Sequence, residues 1–404
     1  MFIVTFKKAM RYAKQNGLLA TLSQIKARLL GGQNPFAKKL VIDHYAELFG
    51  TDFGSAADAK NASLKTINWF IPPVGKGSGG HLNIFRFIKN LEDIGYQSNI
   101  VIVGGPTTET AQLTKGNIEK WFFPLKAEVF IGVDNTPPSY FAMATSWPTA
   151  YYVKRFLGCV KKCYFVQDFE PWFYCSGTES VLAENTYKFG FYGITAGSWL
   201  AEKLHSDYGM LTTPVGFSFE KDLYKPIPHV KKNDGVKRVF FYARPPTPRR
   251  GFELGFLVLN ELCKDLPEVE VIFAGWDLNE YHISFPHKVA GLVELDKLAE
   301  LYCQCDVALV LSFSNLSLLP LELMACRVPV VSNKAPYTEW LLNDGHCMLA
   351  EPDVQSIKQA ITEVLNNKYL AKKLMDSGQL LANQTSWQSE ARKFSDVLEL
   401  LVCK

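Results

Sequence analysis

The sequence predicts an α/β protein of two Rossmann-like domains facing across a cleft, with a helical extension at the amino end. Three observations predict it. At 404 residues the chain is too long for one core, so two sizeable domains are expected. From Thr66 onward short apolar runs alternate with amphipathic stretches, as strands and crossover helices do in parallel sheets. The alternation stops at a Pro- and Lys-rich linker, Lys225 to Asp234, and begins again at Val236. An apolar content of 48% supplies an ample core and excludes a disordered chain, while a net charge of +3 is too small for a nucleic-acid surface.

Residues 1–60 read as the extension. Leu18, Leu22, Ile25 and Leu29 recur at helical spacing. Residues 1–42 hold Lys7, Lys8, Arg11, Lys14, Lys26, Arg28, Lys38 and Lys39 without one Asp or Glu. A basic amphipathic helix of this kind lies on an anionic membrane surface, through residues 1–30, or docks on its own protein or a second subunit; a homodimer stays open. The start MFIVTF is too short for a signal peptide, and no run of about 18 apolar residues exists to span a bilayer. Nine cysteines, odd in number and without paired CxxC spacing, read as core thiols, Cys303 and Cys305 among them, in a reducing compartment. The expected location is cytoplasmic, with peripheral attachment to the inner membrane face open.

Residues 61–230 form the first domain. It begins with the strand INWFI, the loop PPVGKGSGG and a helix from His81 to Ile94, followed by the strand NIVIV. Further strands are expected at Glu128 to Val133, Cys163 to Gln167 and Phe191 to Thr195. The loop fits no phosphate-binding motif closely, but its glycines would let the Gly79 and Gly80 amides approach a ligand, or else form a flexible turn. After a later strand comes VQDFEPWFY, where Asp168 and Glu170 stand beside Trp172, Phe173 and Tyr174. Carboxylates next to aromatic rings suit sugar hydroxyls and apolar sugar faces, which makes Glu170 and Trp172 acceptor candidates. Asp168 directly follows a strand and is the first choice for a general base, with Asp134 and His81 behind it, although each equally fits a turn cap.

Residues 231–385 form the second domain, opening with KRVFFYA, a helix from about Phe252 to Leu262 and EVEVIFAG. Between the first strand and helix, YARPPTPRRG places Arg244, Arg249 and Arg250 near a helix start. Guanidinium forks and helix amino ends both favour phosphate oxygens, and the prolines hold the loop in one shape. A helix Leu295 to Cys303 and the strand DVALVLS lead to Leu311–Asn333, where Glu322 stands in a loop-to-helix turn between two apolar strands. Ligands in open parallel sheets bind beyond the carboxyl ends of strands, so the turn carrying Ser317, Leu318 and Glu322 faces a ligand hydroxyl, unless Glu322 only caps the helix. Residues 386–404 are helical in pattern and are expected to cross back to the first domain.

The segments GKGSGGH, ITAGSWLAEKL, PVGFSFEKDLYKP, YARPPTPRRG, VIFAGW, LAELYCQCDVALVLS and LLPLELMACRVPVV, over residues 66–385, resemble family 4 glycosyltransferases of the GT-B fold. The resemblance implies a nucleotide-diphosphate sugar as donor substrate, with neither metal nor cofactor. It assigns Arg244 to the diphosphate, sets Arg249 or Arg250 near the usual Lys, and gives Glu322 the ribose hydroxyls. It departs at Ser314, where many members carry an earlier Glu, and at Arg327, a frequent Gly, so retention or inversion stays open. INWFIPPVGKGSGGH, YFVQDFEPWFY and FYARPPTPRRGFELG are further similar to bacterial rhamnosyltransferases that move rhamnose from dTDP-β-L-rhamnose to surface glycans, often lipid-linked. The function expected on this ground is sugar transfer to a growing glycan. A nucleotide-sugar epimerase of the same fold, or an inactive glycan-binding subunit, are the alternatives.

Overall fold

The computed structural model describes residues 42, 43, 45–105, 109–227, 230 and 234–403. The basic helix expected within residues 1–41 lies outside them, as do parts of the 225–234 linker. The chain forms two compact units, Met1–Asp52 and Phe53–Lys404. In the first, residues 45–48 are helical. The second holds two parallel sheets and everything that follows.

After a short helix α1 (Ala56–Ala59), the first sheet contains β1 (Thr66–Ile71), β2 (Gln97–Ile102), β3 (Glu128–Ile131), β4 (Ser139–Ala144), β5 (Cys159–Val166), β6 (Tyr192–Ala196) and β7 (Thr212–Val215). They run parallel in the order β3-β2-β1-β4-β5-β6-β7. Helices α2 (Gly79–Asp93), α3 (Ala111–Trp121), α4 (Trp147–Arg155), α5 (Thr178–Thr186) and α6 (Ser198–Tyr208) connect them. The central strands are apolar without alternation because helices cover both faces; in β1 every residue from Ile67 to Ile71 is buried. Strands β4 and β7 were not expected from the sequence. Strand β7, TTPV, is a short edge strand containing a proline, which masks the usual strand pattern.

The second sheet has β8 (Lys237–Tyr242), β9 (Val269–Ala274), β10 (His287–Gly291), β11 (Val307–Val310), β12 (Val330–Asn333) and β13 (Met348–Ala350), all parallel in the order β10-β9-β8-β11-β12-β13. Its helices are α7 (Phe252–Asp265), α8 (Leu295–Tyr302), α9 (Leu319–Ala325), α10 (Pro336–Glu339), α11 (Val354–Asn366) and α12 (Lys368–Gln384). At Gly255 any side chain would meet the Phe241 ring at 2.2 Å, so glycine is what lets α7 lie close on β8.

The last helix, α13 (Trp387–Val402), returns to the first domain. Phe394 packs among Trp69, Phe87 and Phe165, with ring centroids 5.3–5.8 Å away, and the Glu390 carboxylate accepts from Gly216 N at 2.6 Å. The first domain's core is thus completed by residues more than three hundred positions from its first strand. In each sheet the strand order reverses at one place, between β1 and β4 and between β8 and β11. A ligand crevice opens at the carboxyl ends of strands there.

Candidate functional site

The carboxyl ends of the two sheets face each other, and hydrogen bonds between them define the site. Asp168 follows β5 and Asn315 follows β11. Asp168 accepts from Asn315 N at 2.8 Å and from Ser314 Oγ at 3.0 Å, and the Arg249 guanidinium stands 3.4 Å from it. The Asn315 side-chain amide donates to Gln167 O at 2.9 Å and to Ala196 O at 2.7 Å. Its Oδ1 has no protein partner although the residue is 1% exposed. Phe173 lies against Arg249, with the guanidinium carbon 3.8 Å from the ring centroid. Residues 167–173 therefore form the first domain's half of a polar and aromatic seam, and residues 249 and 314–315 form the other half.

This geometry changes the expectation for Asp168. Its carboxylate does stand at the facing strand ends, but it is buried, and in this arrangement its oxygens serve Phe169 N, Ser314, Asn315 and Arg249. To take a proton from a substrate it must exchange one of these partners. Glu170 is corrected as an acceptor residue. Its carboxylate turns into the first domain, where it accepts from Trp147 N at 2.7 Å and from Tyr164 Oη at 2.8 Å. Burial pushes its carboxyl up to about 7, against those two hydrogen bonds.

His81 is likewise corrected as a base. Its Nε2 lies 3.2 Å from Pro72 O and so carries the hydrogen, leaving Nδ1 to accept from Ser78 Oγ at 2.8 Å. Both nitrogens fasten the glycine loop to the end of β1, and burial lowers the imidazole's pKa, favouring the neutral ring. Asp134 is exposed beyond β3, an edge strand four positions from β5, or about 19 Å at ordinary strand spacing. It is not part of the seam.

Gly79 and Gly80 open α2, capped by Ser78 Oγ, which accepts from His81 N at 3.4 Å. A side chain at Gly79 would meet nothing within 4 Å, and at Gly80 only Gln167 at 3.7 Å, so space lies in front of both. Lys76 of the same loop pairs with Glu294 of the second domain at 3.6 Å, both well exposed.

The three arginines after β8 separate into distinct roles. Arg250 is corrected as a free phosphate ligand: its Nη1 donates to Ser312 Oγ at 2.7 Å and to Asn315 O at 3.3 Å, holding the 312–315 loop. Burial presses its guanidinium below the usual value. Arg249 takes part in the seam through its side chain, and its carbonyl accepts from Phe313 N at 2.8 Å. Arg244 keeps only a 3.2 Å bond to Tyr242 Oη and a ring contact with Trp276 at 6.0 Å, and is half-buried. It is the arginine most open to a ligand.

Glu322 lies in the first turn of α9, after the half-buried Ser317 and Leu318. Tyr302 Oη donates to it at 3.4 Å. Burial raises its carboxyl, opposed by the Arg86 guanidinium of the first domain and by the Tyr224 and Tyr302 hydroxyls. Arg86 also binds Glu220 at 2.8 Å and covers the Trp387 ring at 4.9 Å. Glu322 therefore belongs to a second junction between the domains.

Several residues in or next to the seam were not singled out from sequence. Asn315 and Gln167 within it, and Trp199 and Tyr337 beside it, stand in ordinary strand-end or helix-start contexts, and only the pairing of distant parts of the chain gives them a role. A surface cavity of about 560 Å³, lined by residues including Val160, Phe189, Met210 and Leu211, opens at the opposite, amino ends of β5–β7. No carboxylate or arginine lines it, so the seam is the better site by chemistry.

Comparison with known proteins agrees with this architecture. Residues 237–362 match the family described as WsaF, C-terminal domain. The O-antigen biosynthesis protein RfbC of Myxococcus xanthus is 35% identical over 350 residues, 83% of this chain; the chain spans 27% of that relative's length. Among solved structures, sucrose-phosphate synthase from Thermosynechococcus elongatus superposes with a TM-score of 0.65 at 12% identity, over 84% of this chain and 99% of the other. HepE of Anabaena, solved in complex with UDP and glucose, gives 0.65 at 17% identity, over 83% and 99%. The chain has the two-domain α/β GT-B fold, and its second domain, over residues 237–362, matches WsaF, C-terminal domain.

Proposed function

We propose that the chain is a glycosyltransferase that moves a sugar from a nucleotide-diphosphate donor on its second domain to a glycan acceptor on its first, in building a bacterial surface polysaccharide. The observation that carries this reading is the half-buried Arg244 just beyond the carboxyl end of β8, at the strand-order reversal, together with a first-domain loop of glycines that has free space before it. The relative named for O-antigen biosynthesis and the GT-B neighbour bound to UDP and glucose support it. In the finer reading the donor is dTDP-β-L-rhamnose. No metal is invoked: Arg244 takes the diphosphate charge, and Glu322 the ribose hydroxyls. Transfer from a β donor to an α linkage is inversion, and Asp168 would trade its Ser314 hydrogen bond for the acceptor hydroxyl and take its proton.

Thermal shift against dTDP-, UDP- and GDP-sugars tests donor binding, because a bound donor raises stability by mass action. Arg244→Ala and Glu322→Ala should each weaken the stabilising donor at least about tenfold, the loss expected of a charged hydrogen bond. No shift with any nucleotide sugar would sink the proposal. Labelled donor with and without a glycan then separates transfer from epimerisation.

Among the described residues no helix is long and apolar enough to cross a membrane. We infer that the basic residues 1–30 bring the protein to an anionic surface. Flotation with phosphatidylglycerol vesicles should lose the protein when they are deleted; unchanged binding would give that segment another role.

A further inference from the structure

We propose that Trp172, Trp199 and Tyr337 form a platform on which a pyranose ring of the acceptor glycan stacks. The proposal rests on the sugar-transfer reading and names the acceptor half of that site. The three rings come from three places in the chain. Trp172 lies in the 3-10 turn Glu170–Phe173, Trp199 in the first turn of α6, and Tyr337 on α10 of the second domain. Their centroids are 5.9, 6.1 and 5.6 Å apart. The planes of the two indoles are inclined by only 36°, while the tyrosine stands at 83° and 76° to them, so the trio makes a corner of two similarly oriented rings and one steep one.

Trp172 remains 45% exposed within this corner. An aromatic cluster left open at a domain junction marks a binding surface more often than a packing remnant. Its ring is already held in place, since the Lys203 ammonium lies 5.1 Å from it and Phe169 packs at 5.0 Å. A fixed ring loses little entropy when a ligand lands on it.

Exposed Ser198 precedes Trp199, and exposed Lys334 and Glu339 lie within three residues of Tyr337, so the chain around these aromatic residues carries hydrogen-bonding groups. A pyranose presents the matching surface, a C–H face rimmed by hydroxyls, whereas a lipid tail would need a longer aliphatic groove. The trio is also adjacent to the seam: Phe173, next to Trp172, lies against Arg249, and Gly197, two residues before Trp199, has φ +87° with any added side chain only 2.5 Å from Trp340. Because Tyr337 belongs to the second domain, a sugar on the platform touches both domains and favours the closed arrangement.

Fluorine NMR of the full chain with 5-fluorotryptophan reads this directly. Of the eight tryptophan signals, those of Trp172 and Trp199 are assigned by Trp→Phe variants. The probes are the methyl glycosides of rhamnose, glucose, mannose and N-acetylglucosamine, with sorbitol as a polyol that has no ring face. At least one glycoside should shift these two signals and sorbitol should not. Tyr337→Ala should weaken the response by roughly two- to tenfold, and Tyr337→Phe, which keeps the ring, should preserve it. The proposal is overturned if no glycoside shifts the two signals, or if sorbitol shifts them equally. Such a failure would leave donor binding, measured separately by thermal shift, untouched.

Discussion

Glu170 is buried, and that burial, which outweighs the hydrogen bonds from Trp147 N and Tyr164 Oη, has a consequence for stability. Its folded pKa of about 7 lies above its ordinary 4.5, so the folded chain binds this proton more tightly than the unfolded chain does. The residue's contribution is therefore most favourable below about pH 4.5, falls as pH rises toward 7, and levels off above, for a total of at most about 3 kcal/mol. Chemical denaturation between about pH 5 and 8 should show that slope, and Glu170→Gln should flatten it. The carboxylates beside aromatic rings were legible in the sequence as a cluster, but the direction each one faces was not. Asp168 and Glu170 are two residues apart, one on the seam and the other inside the domain, because the 3-10 turn Glu170–Phe173 begins between them and breaks the two-residue alternation that would put both on one side.

Among the elements, α13 shows how a sequence-distant helix becomes part of a core. Phe394 is fully buried against Trp69, Phe87 and Phe165. Phe394→Ala should cost about 3–5 kcal/mol, read as a lower denaturation midpoint of the first domain. Central strands, such as β1, β8 and β11, were legible because their apolar runs are continuous. The edge strands β10 and β13 were not. HKVAG is mostly exposed and MLA is three residues long, so neither carries an apolar run for burial to select. The helix α9 and its Glu322 were read correctly in place, yet the Arg86 and tyrosine neighbours of Glu322 come from elements no local pattern connects to it.

At the scale of the whole molecule, the carboxyl ends of the two sheets are joined by a few polar contacts, and Ser314 is the contact that most depends on its chemistry. Its hydroxyl donates to Asp168 at 3.0 Å. Ser314→Glu would set a second carboxylate within about 4 Å of the first, a repulsion of about 4 kcal/mol at an effective dielectric near 20, offset in part by Arg249. The pair must then share a proton or part the domains. Small-angle scattering near pH 8 should show a larger radius of gyration for this variant. Acidification that lets the pair hold one shared proton should return the compact value. Exchanging the two groups, with Asp168→Ser and Ser314→Glu together, restores one hydroxyl facing one carboxylate and should close the molecule again at pH 8. If the single variant stays compact at pH 8 with unchanged stability, the Asp168–Ser314 contact is not what holds the domains together, and the seam must rest on Asn315 and its two carbonyl partners instead.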